Sequence, residues 1–134
     1  TYGTLMAPTI FNQVTGTCFT CVTAWLYHYI RFRVKGETYP GIRPRDHAVV
    51  EGVIYSGVDN ASLHKLDRFE GPLYNRTDVI VHLGDGTPVD AQAYVIRPEF
   101  ADRLTSEPWS FEKFLKCDRD EFRRSYSGFN NEAE

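Results

Sequence analysis

The segment Ala48-Val49-Val50-Glu51-Gly52-Val53-Ile54-Tyr55-Ser56-Gly57-Val58 runs directly into Asp59-Asn60-Ala61-Ser62-Leu63-His64-Lys65-Leu66-Asp67-Arg68-Phe69-Glu70, which Gly71-Pro72 closes. β-Branched and aromatic side chains dominate the first part, which lies between the turn-prone Arg43-Pro44-Arg45-Asp46 and Asp59-Asn60, the mark of a strand. The period then changes. Leu63, Leu66 and Phe69 share one side of a helix that Asp59 or Asn60 caps and that stops at Glu70, because Gly71-Pro72 does not continue it. A strand followed by a short amphipathic helix, in a chain otherwise rich in strands, predicts an α+β domain.

Downstream, Thr77 to Leu83 and Val89 to Ile96 read as a hairpin around Gly84-Asp85-Gly86. Ser106 to Tyr126 reads as a closing helix with Phe111, Leu115, Phe122 and Tyr126 at core-facing intervals. Upstream, Ile30 to Val34 alternates as a strand, with Phe32 and Val34 inward and Arg31, Arg33 and Lys35 outward. Thr15 to Tyr29 shows no clean period, and Pro8 to Val14 forms a short helix with proline in its first turn. A chain of 134 residues without internal repeats fits one domain over residues 1–129 and a polar tail over 130–134.

Composition narrows the partners. A net charge of −3, with acidic and basic residues interspersed, lacks the concentrated basic face that nucleic acid or an anionic membrane requires. No apolar run reaches the length of a transmembrane helix and no leader pattern is visible, so the expected location is cytoplasmic. The eight tyrosines exceed what a plain core needs, since a buried phenol requires a hydrogen-bond partner, and some are expected to line a polar pocket. Cys18 and Cys21 form C-F-T-C, but structural zinc needs four ligands, Cys117 is remote and His28, His47, His64 and His82 are scattered. Ordinary packing thiols in a reducing compartment are expected.

Two segments carry chemistry. In Tyr2-Gly3-Thr4-Leu5, a glycine between bulky residues lets the main chain approach a ligand, and successive N–H groups from Gly3 to Leu5 can point at an anion or a developing oxyanion. Glu70, at a helix end, adds one carboxylate. Neither segment is specific alone. The order Y-G-T-L (Tyr2 to Leu5), G-x-x-Y-P (Gly36 to Pro40), a valine-rich strand, L-D-x-F-E-G-x-x-Y-x-R (Leu66 to Arg76) and A-Y-V (Ala93 to Val95) resembles the gamma-glutamylcyclotransferase-like superfamily. Tyr29 to Ile42 and Trp109 to Phe114 resemble, more narrowly, its plant and fungal avirulence-induced-gene-2-like branch.

The resemblance implies a small mixed β-barrel flanked by helices, with a cavity at one mouth. It also implies that the natural chain holds a strand before Tyr2, of which Thr1 is the part present here. The implied activity is a lactam-forming cyclisation: the α-amine of a γ-glutamyl amine, peptide or glutathione-derived adduct attacks its own γ-carbonyl and expels a free amine, leaving 5-oxoproline. No cofactor or metal is implied, and the expected partner is a small molecule, with the protein a monomer or weak homodimer. Glu70 is the implied general acid/base, needing a pKa raised by burial. Tyr2, Gly3, Thr4 and Leu5 form the substrate cradle, and Tyr39, Tyr74, Arg76 and Tyr94 match positions near the cavity. Arg76 either pairs with the substrate carboxylate or braces the segment that carries Glu70, and Tyr94 either meets substrate or packs with its hydroxyl satisfied. A non-catalytic relative that binds a small metabolite or a protein with the same pocket is the alternative function.

Overall fold

In the computed structural model, which describes residues 1–118, the strand expected from Ala48 is the second half of a longer one, β2 (Pro40–Tyr55). It pairs antiparallel with β1 (Cys21–Val34), from Cys21 opposite Tyr55 to Arg33 opposite Pro40. β1 therefore takes in most of the stretch that lacks a sequence period. Between Tyr27, opposite Val49, and Tyr29, opposite Pro44, the register shifts, and His28 and His47 adopt left-handed φ angles of 68° and 66°. The turn expected at Arg43-Pro44-Arg45-Asp46 is thus an irregularity inside a paired strand. Residues that break local geometry are absorbed as a bulge when a partner strand holds both flanks.

β3 (Tyr74–His82) and β4 (Pro88–Ile96) form the expected hairpin, with Gly86 at a φ of 90° and the Asp85 side chain accepting from the Thr87 N–H at 2.9 Å. β3 joins β1 through Trp25 opposite His82, and β5 (Leu104–Pro108) pairs with β1 at Phe32–Pro108 and Val34–Leu104. The order is β2-β1-β3-β4 with β5 beside β1, and every pairing among the described residues is antiparallel. β2 and β4 approach each other, yet no ladder joins them. The α+β architecture is as expected, with a curled, open and wholly antiparallel sheet where the resemblance implied a partly closed, mixed barrel.

Helices α1 (Pro8–Thr15) and α2 (Asn60–Glu70) cover one side. Asp59 caps α2, its side chain accepting from the Ser62 N–H at 2.9 Å, and Gly71 ends it at a φ of 80° that favours glycine. The helix expected from Ser106 begins only at Phe111 (α3, Phe111–Lys113), continuing as a wider π turn over Phe114–Asp118. Leu104–Pro108 instead completes the free edge of β1, with the Thr105 hydroxyl donating to the Arg33 carbonyl at 2.8 Å. Residues 119–126 of the expected helix and the 130–134 tail lie outside the described residues.

Two apolar clusters result. Ile10, Phe11, Val14, Leu66, Trp109 and Phe114 pack between the helices and the chain after β5, while Leu26, Ile42 and Val50 meet Val79, Val81, Ala93 and Val95 inside the sheet. No described helix is long and apolar enough to cross a membrane.

Candidate active site

A cavity of about 430 Å³, large enough for a small metabolite, is lined from both clusters. All nine singled-out residues line it: Glu70, Tyr2, Gly3, Thr4, Leu5, Tyr39, Tyr74, Arg76 and Tyr94. Five tyrosines contribute to its wall, the fifth being Tyr55.

The amino-terminal segment turns into the cavity through a single 3-10 turn, Thr4–Met6, in which the Met6 and Ala7 N–H groups donate to the Gly3 and Thr4 carbonyls at 2.9 and 3.2 Å. As at any helix start, the first N–H groups have no partner within the turn. The segment is anchored from several sides. Thr1 exchanges two backbone hydrogen bonds with Val53 of β2, at 2.7 and 2.8 Å, and the Tyr55 hydroxyl donates to the Leu5 carbonyl at 2.9 Å. Tyr55 in turn stacks on Phe11, with ring centroids 3.6 Å apart. Gly52 lets the chain pass so close, since a Cβ there would lie 2.2 Å from the Thr1 carbonyl oxygen.

Packing constrains Gly3 as well. Its φ of −127° is open to other residues, but a Cβ would stand 2.9 Å from two ring carbons of Pro40. Close packing of the loop on Pro40 thus favours glycine here. Tyr74 fixes the same proline, its buried hydroxyl donating to the Pro40 carbonyl at 2.7 Å.

Glu70 closes α2, is half-buried and lines the cavity. Withdrawal from bulk water raises its pKa from 4.5 to about 7. Burial, and then the Glu70 charge, raise the Tyr2 phenol well above its ordinary value, and burial with the Asp67 hydrogen bond does the same for Tyr94. Both hydroxyls stay protonated at neutral pH. Tyr2 donates to the Tyr94 carbonyl, and Tyr94 donates to Asp67 Oδ1 at 2.6 Å.

Arg76 takes the bracing role of the two considered. Its Nε and Nη2 meet Asp67 Oδ1 and Oδ2 at 3.0 and 3.3 Å, and its Nη1 donates to Gln92 Oε1 at 2.6 Å. Asp67 lies one helical turn before Glu70, so these bonds hold the end of α2 to β3 and β4. The sequence motif contained Asp67, but its spacing from Glu70 was the sole hint of this role. Arg31 was expected to face outward. It is instead partly buried, with Nη1 donating to the Tyr2 carbonyl at 2.7 Å and the Glu51 carbonyl at 3.0 Å, while Val34 is buried as the alternation predicts.

Cys18 is exposed, Cys21 is half-buried and neither forms a disulfide. No group of three or more His, Cys, Asp or Glu side chains among the described residues is arranged to hold a metal ion.

A helix-end carboxylate and an anchored turn facing one cavity is the arrangement that the motif order pointed to, and residues 1–111 match the family model described as gamma-glutamyl cyclotransferase, AIG2-like. The chain belongs to this family. Its relatives include AIG2-like protein C of Arabidopsis thaliana, 32% identical over 122 residues that make up 90% of this chain and 70% of that protein. Protein AIG2 A of the same plant is 27% identical over 128 residues, 96% of this chain and 75% of the relative. A solution structure of an Arabidopsis thaliana protein superposes with a TM-score of 0.72 at 28% identity, covering 96% of this chain and 78% of the other. A structure described as gamma-glutamyl cyclotransferase has a TM-score of 0.59 at 16% identity, covering 72% and 64%. At that identity the likeness is one of fold.

Proposed function

We propose that the cavity binds a γ-glutamyl compound and converts it to 5-oxoproline and a free amine, with Glu70 as general base and then general acid. The observation that carries this reading is the Glu70 carboxylate, pKa about 7, lining the cavity beside the turn that begins at Gly3, with Asp78 and Asp90 elsewhere on the same wall. The substrate's α-nitrogen attacks its own γ-carbonyl carbon, so that one C–N bond forms as the other breaks. The proton lost by the attacking nitrogen passes to Glu70 and then to the departing nitrogen. Water is neither consumed nor released. A carboxyl group that titrates near neutrality suits both transfers, since neither protonation state is costly to reach.

The N–H groups of Gly3 to Leu5 hold the substrate's α-carboxylate or the oxyanion on the former γ-carbonyl. Each well-placed donor to such an oxyanion is worth about 3 kcal/mol. Tyr2 and Tyr94 act as neutral walls beside Glu70, and apolar side chains such as Phe11, Val58, Leu63 and Phe69 leave room for the departing group.

Incubation with γ-glutamyl amines, γ-glutamyl peptides and glutathione adducts, with 5-oxoproline as the readout, tests the reaction. Release from at least one member, lost in Glu70→Gln, is the expected result. Binding of 5-oxoproline without release from any member would assign the cavity to a non-catalytic binding protein instead.

A further inference from the structure

We propose that Arg31 is a positioning residue for the cradle, fixing the peptide plane between Tyr2 and Gly3 so that the amides that follow face the cavity. The inference rests on the cyclotransferase reading for its effect on turnover. The peptide unit is planar, with its carbonyl and N–H pointing in opposite directions, so a donor that holds the Tyr2 oxygen also sets the direction of the Gly3 N–H. Arg31 Nη1 holds that oxygen at 2.7 Å and is itself steadied by the Glu51 carbonyl at 3.0 Å. Bonds donated by a guanidinium are among the stronger ones available to a neutral carbonyl. Arg31 is not part of the cavity wall, so it acts through Tyr2 and Gly3.

Its own placement is secured by the segment that follows β5. The guanidinium carbon lies 5.4 Å from the ring centroid of Trp109, in cation–π contact. Trp109 is buried, and its Nε1 donates to the Thr38 carbonyl at 2.8 Å. Thr38 precedes Tyr39-Pro40, whose proline ring is the surface against which Gly3 packs. The contacts close a circuit: Arg31 to Tyr2, along the chain to Gly3, across to Pro40, back to Thr38, and through Trp109 to Arg31. A flat guanidinium both stacks on the indole and reaches two carbonyls, which an ammonium does less well.

The test compares Arg31→Met and Arg31→Lys with the wild-type protein by amide hydrogen exchange without ligand, 5-oxoproline affinity, and kcat and KM on a γ-glutamyl amine. Arg31→Met is expected to speed exchange at Gly3, Thr4 and Leu5 about tenfold, and to lower 5-oxoproline affinity or kcat/KM about tenfold, the scale of one lost charge-assisted bond. Arg31→Lys, which keeps the charge and a donor, is expected to recover most of that loss, to within about threefold of wild type. A fall in kcat alone assigns the oriented amides to the oxyanion, and a rise in KM alone assigns them to the carboxylate. Arg31→Met that is less stable to heat, yet keeps wild-type exchange at Gly3 to Leu5 with unchanged affinity, kcat and KM, would overturn the proposal. Should Arg31→Met fail to fold, unchanged exchange in Arg31→Lys would do so. If the wild-type protein releases no 5-oxoproline, the reaction fails by itself, and exchange with 5-oxoproline affinity still decides the role of Arg31.

Discussion

The Tyr94 hydroxyl donates to the Asp67 carboxylate across 2.6 Å, binding β4 to the helical turn that precedes Glu70. Asp67 also receives Arg76, so one side chain gathers the two strands of the hairpin onto the end of α2. Tyr94→Phe removes one donor and leaves the Arg76 pair. We expect a loss of about 1–2 kcal/mol in stability, measured by urea denaturation, with kcat/KM lowered less than about tenfold. A fall of a hundredfold or more with stability unchanged would assign the hydroxyl to the substrate.

Glu70→Gln keeps the size of the side chain and removes the proton acceptor. Turnover is expected to fall at least about a hundredfold with the fold retained. In the wild-type protein, kcat/KM should rise with pH through about 7 as Glu70 ionises, a limb absent from any residual activity of the variant. An active glutamine variant with the wild-type profile would remove Glu70 from the chemistry.

The same carboxylate affects stability. Its folded-state pKa of about 7 exceeds the ordinary 4.5, so between these values the folded protein binds more protons than the unfolded chain. Stability from this group therefore falls as pH rises from about 4.5 to about 7, and the deficit then stays constant. A shift of this size corresponds to at most about 3 kcal/mol. Glu70→Gln should thus gain on the wild type as pH rises through that window, seen by denaturant melts at pH 4.5, 6 and 8. A difference independent of pH would show that Glu70 titrates normally.

Gly3→Val should lose 5-oxoproline binding and turnover, whereas Thr4→Ser should change both less than about threefold. The new Cβ would drive the loop from Pro40, while Thr4→Ser leaves the main-chain donors in place. Gly3→Ala separates the steric causes: it meets Pro40 as valine does, without branched bulk, so a substantial loss in the alanine variant supports packing on Pro40. Wild-type behaviour of Gly3→Ala would mean that the proline ring yields.

That Glu70, the Gly3 to Leu5 segment and Tyr2, Tyr39, Tyr74 and Tyr94 share one cavity was legible because the motifs kept their order and spacing. What each side chain touches was not legible. Tyr74 and Arg76 spend their polar atoms on Pro40, Asp67 and Gln92, bonds made between segments far apart in the chain.

By itself the sequence determined the features that neighbouring residues control. The cap at Asp59, the stop at Gly71-Pro72 and the spacing of Leu63, Leu66 and Phe69 define α2, and the glycines around Asp85 define the hairpin, because capping, left-handed φ and helical period act within a few residues. Only the tertiary structure decided that Arg31 turns inward, that Gly3 packs on Pro40, that Leu104–Pro108 is a strand, and that Glu70 titrates near 7. The physical reason is common to all four. The meeting of a guanidinium with carbonyls of other segments, close approach of a loop to a proline ring, pairing with a free strand edge and removal of water from a carboxylate each depend on which distant segments meet, and no local pattern of residues encodes that meeting.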